Sequence, residues 1–145
     1  MRNNIFALGT RAQLTRHYRG ARKPSFYFER NIVYWKEGGL LWGLWDDGVY
    51  QLDHNLYFRT DGQPIQFGTT AGPGSSRSAQ TFPFEQWQEK RGQDKHSLID
   101  DPLFTNPQQG DFSLKADSPA LQLGFQPIDL SHVGPRKTAR PQLTQ

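Results

Sequence analysis

Short stretches in which apolar and polar residues alternate recur through the first sixty positions. Two are clear: Ser25-Phe26-Tyr27-Phe28-Glu29-Arg30 and Val49-Tyr50-Gln51-Leu52-Asp53-His54. A period of two marks a strand, because successive side chains leave opposite faces. Each stretch runs into an asparagine followed by aliphatic and then apolar or aromatic residues, Asn31-Ile32-Val33-Tyr34 and Asn55-Leu56-Tyr57-Phe58. Asn4-Ile5-Phe6 carries the same pattern earlier, so the asparagines stand 27 and 24 positions apart. Strand–Asn–strand units at such a spacing fit successive coils of a parallel solenoid, where each strand pairs with its equivalent one turn away. Asparagine suits the bend: it tolerates left-handed backbone angles, and its amide can pair with the one above it. Three β-hairpins of a sandwich that share composition by chance are the competing reading.

The second half departs from this pattern. Residues 68–78, GTTAGPGSSRS, have loop chemistry. Residues 81–92 predict one short helix centred on 83–91, with Thr81 as N-cap, Pro83 in the first turn, Lys90 and Arg91 in the last, and Gly92 as stop. Strand-like pieces then alternate with turns at Asn106-Pro107 and Gly110-Asp111. The chain thus divides into coils over 1–67, a Gly/Ser/Pro-rich loop at 68–80, the helix at 81–92, terminal coils and closure over 93–134, and a weakly ordered tail at 135–145. Inward positions of the coils should be Ile5, Phe26, Phe28, Ile32, Leu52 and Leu56. Those of the later segments should be Leu98, Phe104, Phe112, Leu114 and Leu121.

Composition narrows the class. Hydrophobic residues are 34% of the 145, and the mean hydropathy of −0.78 is low for a freestanding globule. Aromatics at 13% argue against wholesale disorder. The absence of cysteine excludes disulfides, thiol catalysis and Cys-ligated zinc. No apolar run approaches the ~20 residues of a membrane span, and MRNNIFALGT lacks the core of a signal peptide. Charge is segregated. Residues 1–28 hold six basic side chains and no acid, residues 29–132 hold eight basic and fourteen acidic, and residues 133–145 add Arg136, Lys137 and Arg140. Such a distribution is not a uniformly cationic nucleic-acid face.

The string Asp100-Asp101-Pro102-Leu103-Phe104, then Gly110-Asp111-Phe112-Ser113-Leu114-Lys115, then Asp117-Ser118-Pro119-Ala120, resembles the C-terminal end of secreted right-handed parallel β-helix proteins. The Asn-Asn-Ile-Phe start, the Arg-Asn-Ile-Val-Tyr-Trp segment and the helix before Gly92 resemble the same group, from Asn3 to about Gly134. The resemblance implies an all-β fold: a right-handed parallel β-helix segment with one short capping helix and an irregular closure. It implies a glycoside hydrolase or polysaccharide lyase context, polysaccharide or oligosaccharide as partner, and a secreted or periplasmic location. Full members are several times longer, so the chain is expected to be a C-terminal portion, not catalytic alone. No catalytic residue carries over.

Leu40 to Gly48 offers the best contact surface. Trp42 and Trp45 could stack on sugar rings while Asp46 and Asp47 bind hydroxyls; both tryptophans closing a coil is the alternative. Neighbouring aspartates on a strand point to opposite faces and make a poor catalytic pair, so Asp46-Asp47 and Asp100-Asp101 read more readily as ion pairs and turns. His54, beside Asp53 at the Asn55 bend, is a further candidate. His17, His54, His96 and His132 show no metal-binding spacing, so no metal site and no cofactor are predicted. Scattered carboxylates could still take Ca2+, but no calcium loop occurs. Asp94-Lys95-His96-Ser97 contains triad residue types, yet triad partners meet through the fold and not along one strand. Three functional classes follow: part of a polysaccharide-processing enzyme, a glycan-binding or structural module using Trp42 and Trp45, and a polyanion binder using Arg11, Arg16, Arg19, Arg22 and Lys23. No nucleic acid or membrane partner is expected, whereas an uncapped first coil would favour a homo-oligomer.

Overall fold

The computed structural model describes residues 1–16, 24–45, 49–70 and 79–129. Its strands come in triplets. The first partial set is β1 (Ile5–Ala7) and β2 (Ala12–Arg16). Then follow β3 (Tyr27–Glu29), β4 (Ile32–Trp35) and β5 (Gly39–Gly43), and after them β6 (Gln51–Asp53), β7 (Leu56–Arg59) and β8 (Phe67–Thr69). Next come β9 (Gln80–Phe82), helix α1 (Phe84–Arg91) and β10 (Leu98–Ile99). The last elements are β11 (Phe104–Asn106), a 3-10 turn (Pro107–Gln109), β12 (Asp111–Leu114) and helix α2 (Pro119–Gln122). The class is all-β.

The first and second strands of successive triplets pair in parallel, as do β2 and β5, whereas β5 meets the β8 segment only through an antiparallel Gly43–Thr70 bridge. β1, β4, β7 and β10 form a four-stranded sheet in which Ile5, Ile32, Leu56 and Leu98 share one row. β3 pairs with β6, and β2 with β5. The hairpins β8–β9 and β11–β12 are antiparallel.

The expected asparagine stack is present. Asn4 donates from its backbone N–H and its Nδ2 to Asn31 Oδ1, both at 3.0 Å. Asn31 does the same to Asn55 Oδ1, at 3.1 and 3.2 Å. Asn55 N–H then donates to Ser97 Oγ at 2.8 Å, so a serine takes the fourth step. Asn31 and Asn55 are 1% and 0% exposed, which makes these bonds obligatory, since an unpaired buried amide is costly. One detail differs from expectation. The left-handed residue is the one before each asparagine, namely Asn3, Arg30 and His54, at φ 56°, 52° and 55°. That kink aims the next side chain into the ladder.

The two inner strands of the four-stranded sheet, β4 and β7, bury residues on both faces. Val33, Trp35 and Tyr57 face a core shared with Phe28, Leu52 and Trp87. Ile32 and Leu56 face a second core made with Phe104, Ala120 and Phe125. The closing segment therefore lies across the outside of the sheet. It reaches the first coil, where Gln126 N–H donates to Asn3 Oδ1 and Asn3 Nδ2 to Gln126 O.

Several expected positions move. Leu98 is 39% exposed, because among the described residues β10 is the end strand of its sheet, paired with β7 alone. Ile5, Phe26, Phe112, Leu114 and Leu121 are half-buried. Thr81 lies in β9 and does not cap α1; Pro83 holds the cap position with no side-chain bond, at φ −57° and ψ 162°. The helix stops at Gly92, whose φ of 64° suits glycine and whose N–H returns to Gln88 O. The loop expected at 68–80 yields strand residues at each end, in β8 and β9; its 71–78 part, and the tail from 130, lie outside the described residues. No helix among the described residues is long and apolar enough to cross a membrane.

Candidate functional site

The two tryptophans part company. In the β2–β5 pair, Leu14 and Leu41 face the core while their neighbours Thr15 and Trp42 face outward. Trp42 is half-exposed, with the Arg11 guanidinium 5.5 Å from its ring centre, and Arg11, Ala12, Thr15 and Trp42 line a shallow groove of about 200 Å³. Trp45 is 2% exposed and offers no face to a ligand. At Gly43 the chain turns inward at φ 94°, where any Cβ would lie 2.0 Å from Arg16 O. Trp45 then packs edge-on against Tyr50 (5.1 Å) and Phe26 (6.2 Å), and its indole N–H donates to Trp42 O at 3.0 Å. A large ring with an internal acceptor is better buried than exposed. Asp46 and Asp47 lie outside the described residues.

The cationic surface also shrinks. Arg16 is 6% exposed, sits 5.1 Å over the Tyr50 ring and donates from Nη1 to Leu44 O at 2.6 Å. It is a core cation and not part of a polyanion face. Arg19, Arg22 and Lys23 lie outside the described residues, and Arg11 alone of that set is described as exposed.

His54 stands in a cluster. Its ring stacks on His96 with centres 4.8 Å apart and planes at 27°. Both Nδ1 atoms face Asp53 Oδ2, that of His96 at 2.8 Å and that of His54 at 3.3 Å. Asp53 Oδ1 is held separately, accepting the backbone N–H of His54 at 3.0 Å and of His96 at 2.8 Å. Partial burial would raise the Asp53 carboxyl. The His96 ring, these two N–H groups and His54 outweigh burial and hold the group below the ordinary carboxylate range.

Just inside lies Asp94, fully buried, with four donors on its carboxyl. Trp87 Nε1 donates to Oδ2 at 3.0 Å; Ser97 Oγ (2.7 Å), Tyr57 OH (2.9 Å) and Asn55 Nδ2 (3.3 Å) donate to Oδ1. Burial dominates and pushes this carboxyl up, against the pull of the four donors. Asp94 thereby anchors the asparagine ladder. It also occupies Ser97, so the triad types of Asp94 to Ser97 divide between a buried Asp–Ser bond and an outward His96. Asp100 and Asp101 serve turns: their carboxylates accept the N–H groups of Asp101 and Leu103, both at 2.8 Å.

A larger groove of about 630 Å³ borders β1. Ile5 and Ala7 form its floor, and Phe112, Leu114, Phe125 and Ile128 its walls. Among the described residues β1 pairs with β4 alone, and the backbone groups of Ile5 and Ala7 point away from β4 toward this opening: the bonds from Ile32 N–H to Asn4 O and from Leu8 N–H to Tyr34 O use the even positions.

Sequence reasoning singled out His54 but not His96 or the role of Asp53. The signal was Ser97-Leu98-Ile99, a degenerate fourth copy of the Asn–aliphatic unit. Aligning Ser97 with Asn55 places His96 over His54. No family model, no curated protein and no solved structure matches the chain.

Proposed function

We propose that the chain is the closing part of a right-handed parallel β-helix, of the secreted polysaccharide-processing kind that its C-terminal motif resembles, and that it contacts glycan without turning it over alone. The asparagine ladder carries this reading, since a ladder of four residues joined across parallel strands is what wound coils produce. Two further features support it. The closing segment packs across the outer face of the four-stranded sheet and bonds to Asn3 of the first coil. Among the described residues β1 pairs with β4 alone, which leaves its other edge as the seat for another coil.

The glycan surface is the Arg11–Thr15–Trp42 groove. A sugar ring stacks on Trp42, Thr15 serves a hydroxyl, and Arg11 pairs with a uronate carboxylate, so acidic polysaccharides are the preferred class. Affinity electrophoresis against neutral and acidic polysaccharides tests this. The expected result is retardation by an acidic polymer, lost in Trp42→Ala, with no product release. Equal mobility of Trp42→Ala and the parent in every gel would contradict it. A binding-only module is the alternative, and it would fail to gain turnover when further coils are joined at β1.

A further inference from the structure

We propose that Asp53, His54 and His96 form a binding site for one divalent transition-metal ion, with zinc as the best-suited type. The potential ligand atoms, two imidazole nitrogens and one carboxylate oxygen, all lie within 4.8 Å of one another. Ligands about 2.1 Å from a shared zinc ion at near-tetrahedral angles stand roughly 3.4 Å apart. The Nδ1–Oδ2 separation of His54, 3.3 Å, is close to that spacing, while His96, hydrogen-bonded to Oδ2 at 2.8 Å, would exchange that bond for the ion by opening about 0.6 Å.

The setting is built, not incidental. Asp53 Oδ1 is occupied by two backbone N–H groups, which fixes the carboxylate plane and leaves Oδ2 for the ion. His54 and His96 belong to adjacent tiers, fixed by the bonds from Asp94 N–H to Leu52 O (2.7 Å) and from Leu98 N–H to Asn55 O (2.9 Å). A plain ion pair needs only one histidine. Here both rings turn Nδ1 to a single oxygen, and two imidazolium ions stacked at 4.8 Å would repel each other. One dication facing two neutral ring nitrogens and a carboxylate satisfies all three groups. Mixed nitrogen and oxygen donors favour zinc, cobalt, nickel or copper over calcium and magnesium, which prefer all-oxygen shells. The side chains of His54 and His96 are 37% and 65% exposed, so water completes the shell. The ion would clamp the His54 bend to the bend that follows α1.

Calorimetric titration with Zn2+ and visible spectroscopy with Co2+ test the site on the full chain. The expected results are one equivalent bound, a rise in melting temperature on Zn2+ addition, and no competition from Ca2+ or Mg2+. His96→Ala should lower affinity roughly tenfold or more, as should His54→Asn, which keeps a residue tolerant of the left-handed backbone. A His17→Ala, His132→Ala double variant should bind as the parent does. No saturable uptake, or uptake unchanged in both His96→Ala and His54→Asn, would overturn the site. Either outcome leaves the glycan reading to its own test.

Discussion

Asp94 shows what a single residue does here. It sits without exposure where the asparagine ladder ends, and its four donors come from four separate parts of the fold: β7, the Asn55 bend, α1 and the turn before β10. Asp94→Asn would turn an amide N–H toward either Trp87 Nε1 or the three donors on Oδ1, leaving a buried donor opposed. The expected loss is about 1–3 kcal/mol by urea unfolding. A pH signature accompanies it. Because burial raises the folded carboxyl above its unfolded value, the folded state holds the extra proton between those values. Stability contributed by Asp94 is therefore full below the ordinary carboxylate range and falls as pH rises through its raised folded value. Asp53, shifted the other way, contributes stability that is lost only as pH falls below that range. The difference between parent and Asp94→Asn should thus vary with pH above the ordinary carboxylate range. Parallel pH curves for the two proteins would refute this placement. The asparagines of the ladder were legible because their spacing repeats in sequence. Asp94 was not, because its partners lie 3 to 39 positions away and meet only after α1 intervenes.

At the scale of elements, strand existence was read well wherever alternation preceded an asparagine, as in β3–β4 and β6–β7. What alternation could not convey was which end of a sheet a strand occupies. Leu98 reads as core but lies on the outermost strand. Trp45 reads as a surface partner of Trp42, but the backbone turns inward at Gly43 between them. The other outer strand, β1, has a testable property. Among the described residues its outward N–H and C=O groups meet no strand and lie beside an apolar groove, so it should recruit a second copy of the chain when no further coil is stacked there. Sedimentation velocity should show concentration-dependent self-association. Ala7→Pro, which removes an outward N–H and no bond to β4, should return the protein to a monomer. A parent chain that stays monomeric as concentration rises counts against β1 as an adhesive edge.

At the scale of the whole molecule, one sheet organises everything else. Its inner face holds the aromatic core, its outer face holds the closing segment, and its ladder edge carries both Asp94 and the Asp53–His54–His96 cluster. The cluster joins residues more than forty positions apart, so only the register of tiers, and no local spacing, reveals it. That register is the central claim, and scalar couplings across hydrogen bonds in solution NMR measure it most directly. Couplings are expected from the Ile32 amide to the Asn4 carbonyl, from Leu56 to Asn31, and from Leu98 to Asn55. Couplings that instead pair β3 with β4 or β6 with β7 as antiparallel hairpins would contradict the stacked arrangement and the site built on it.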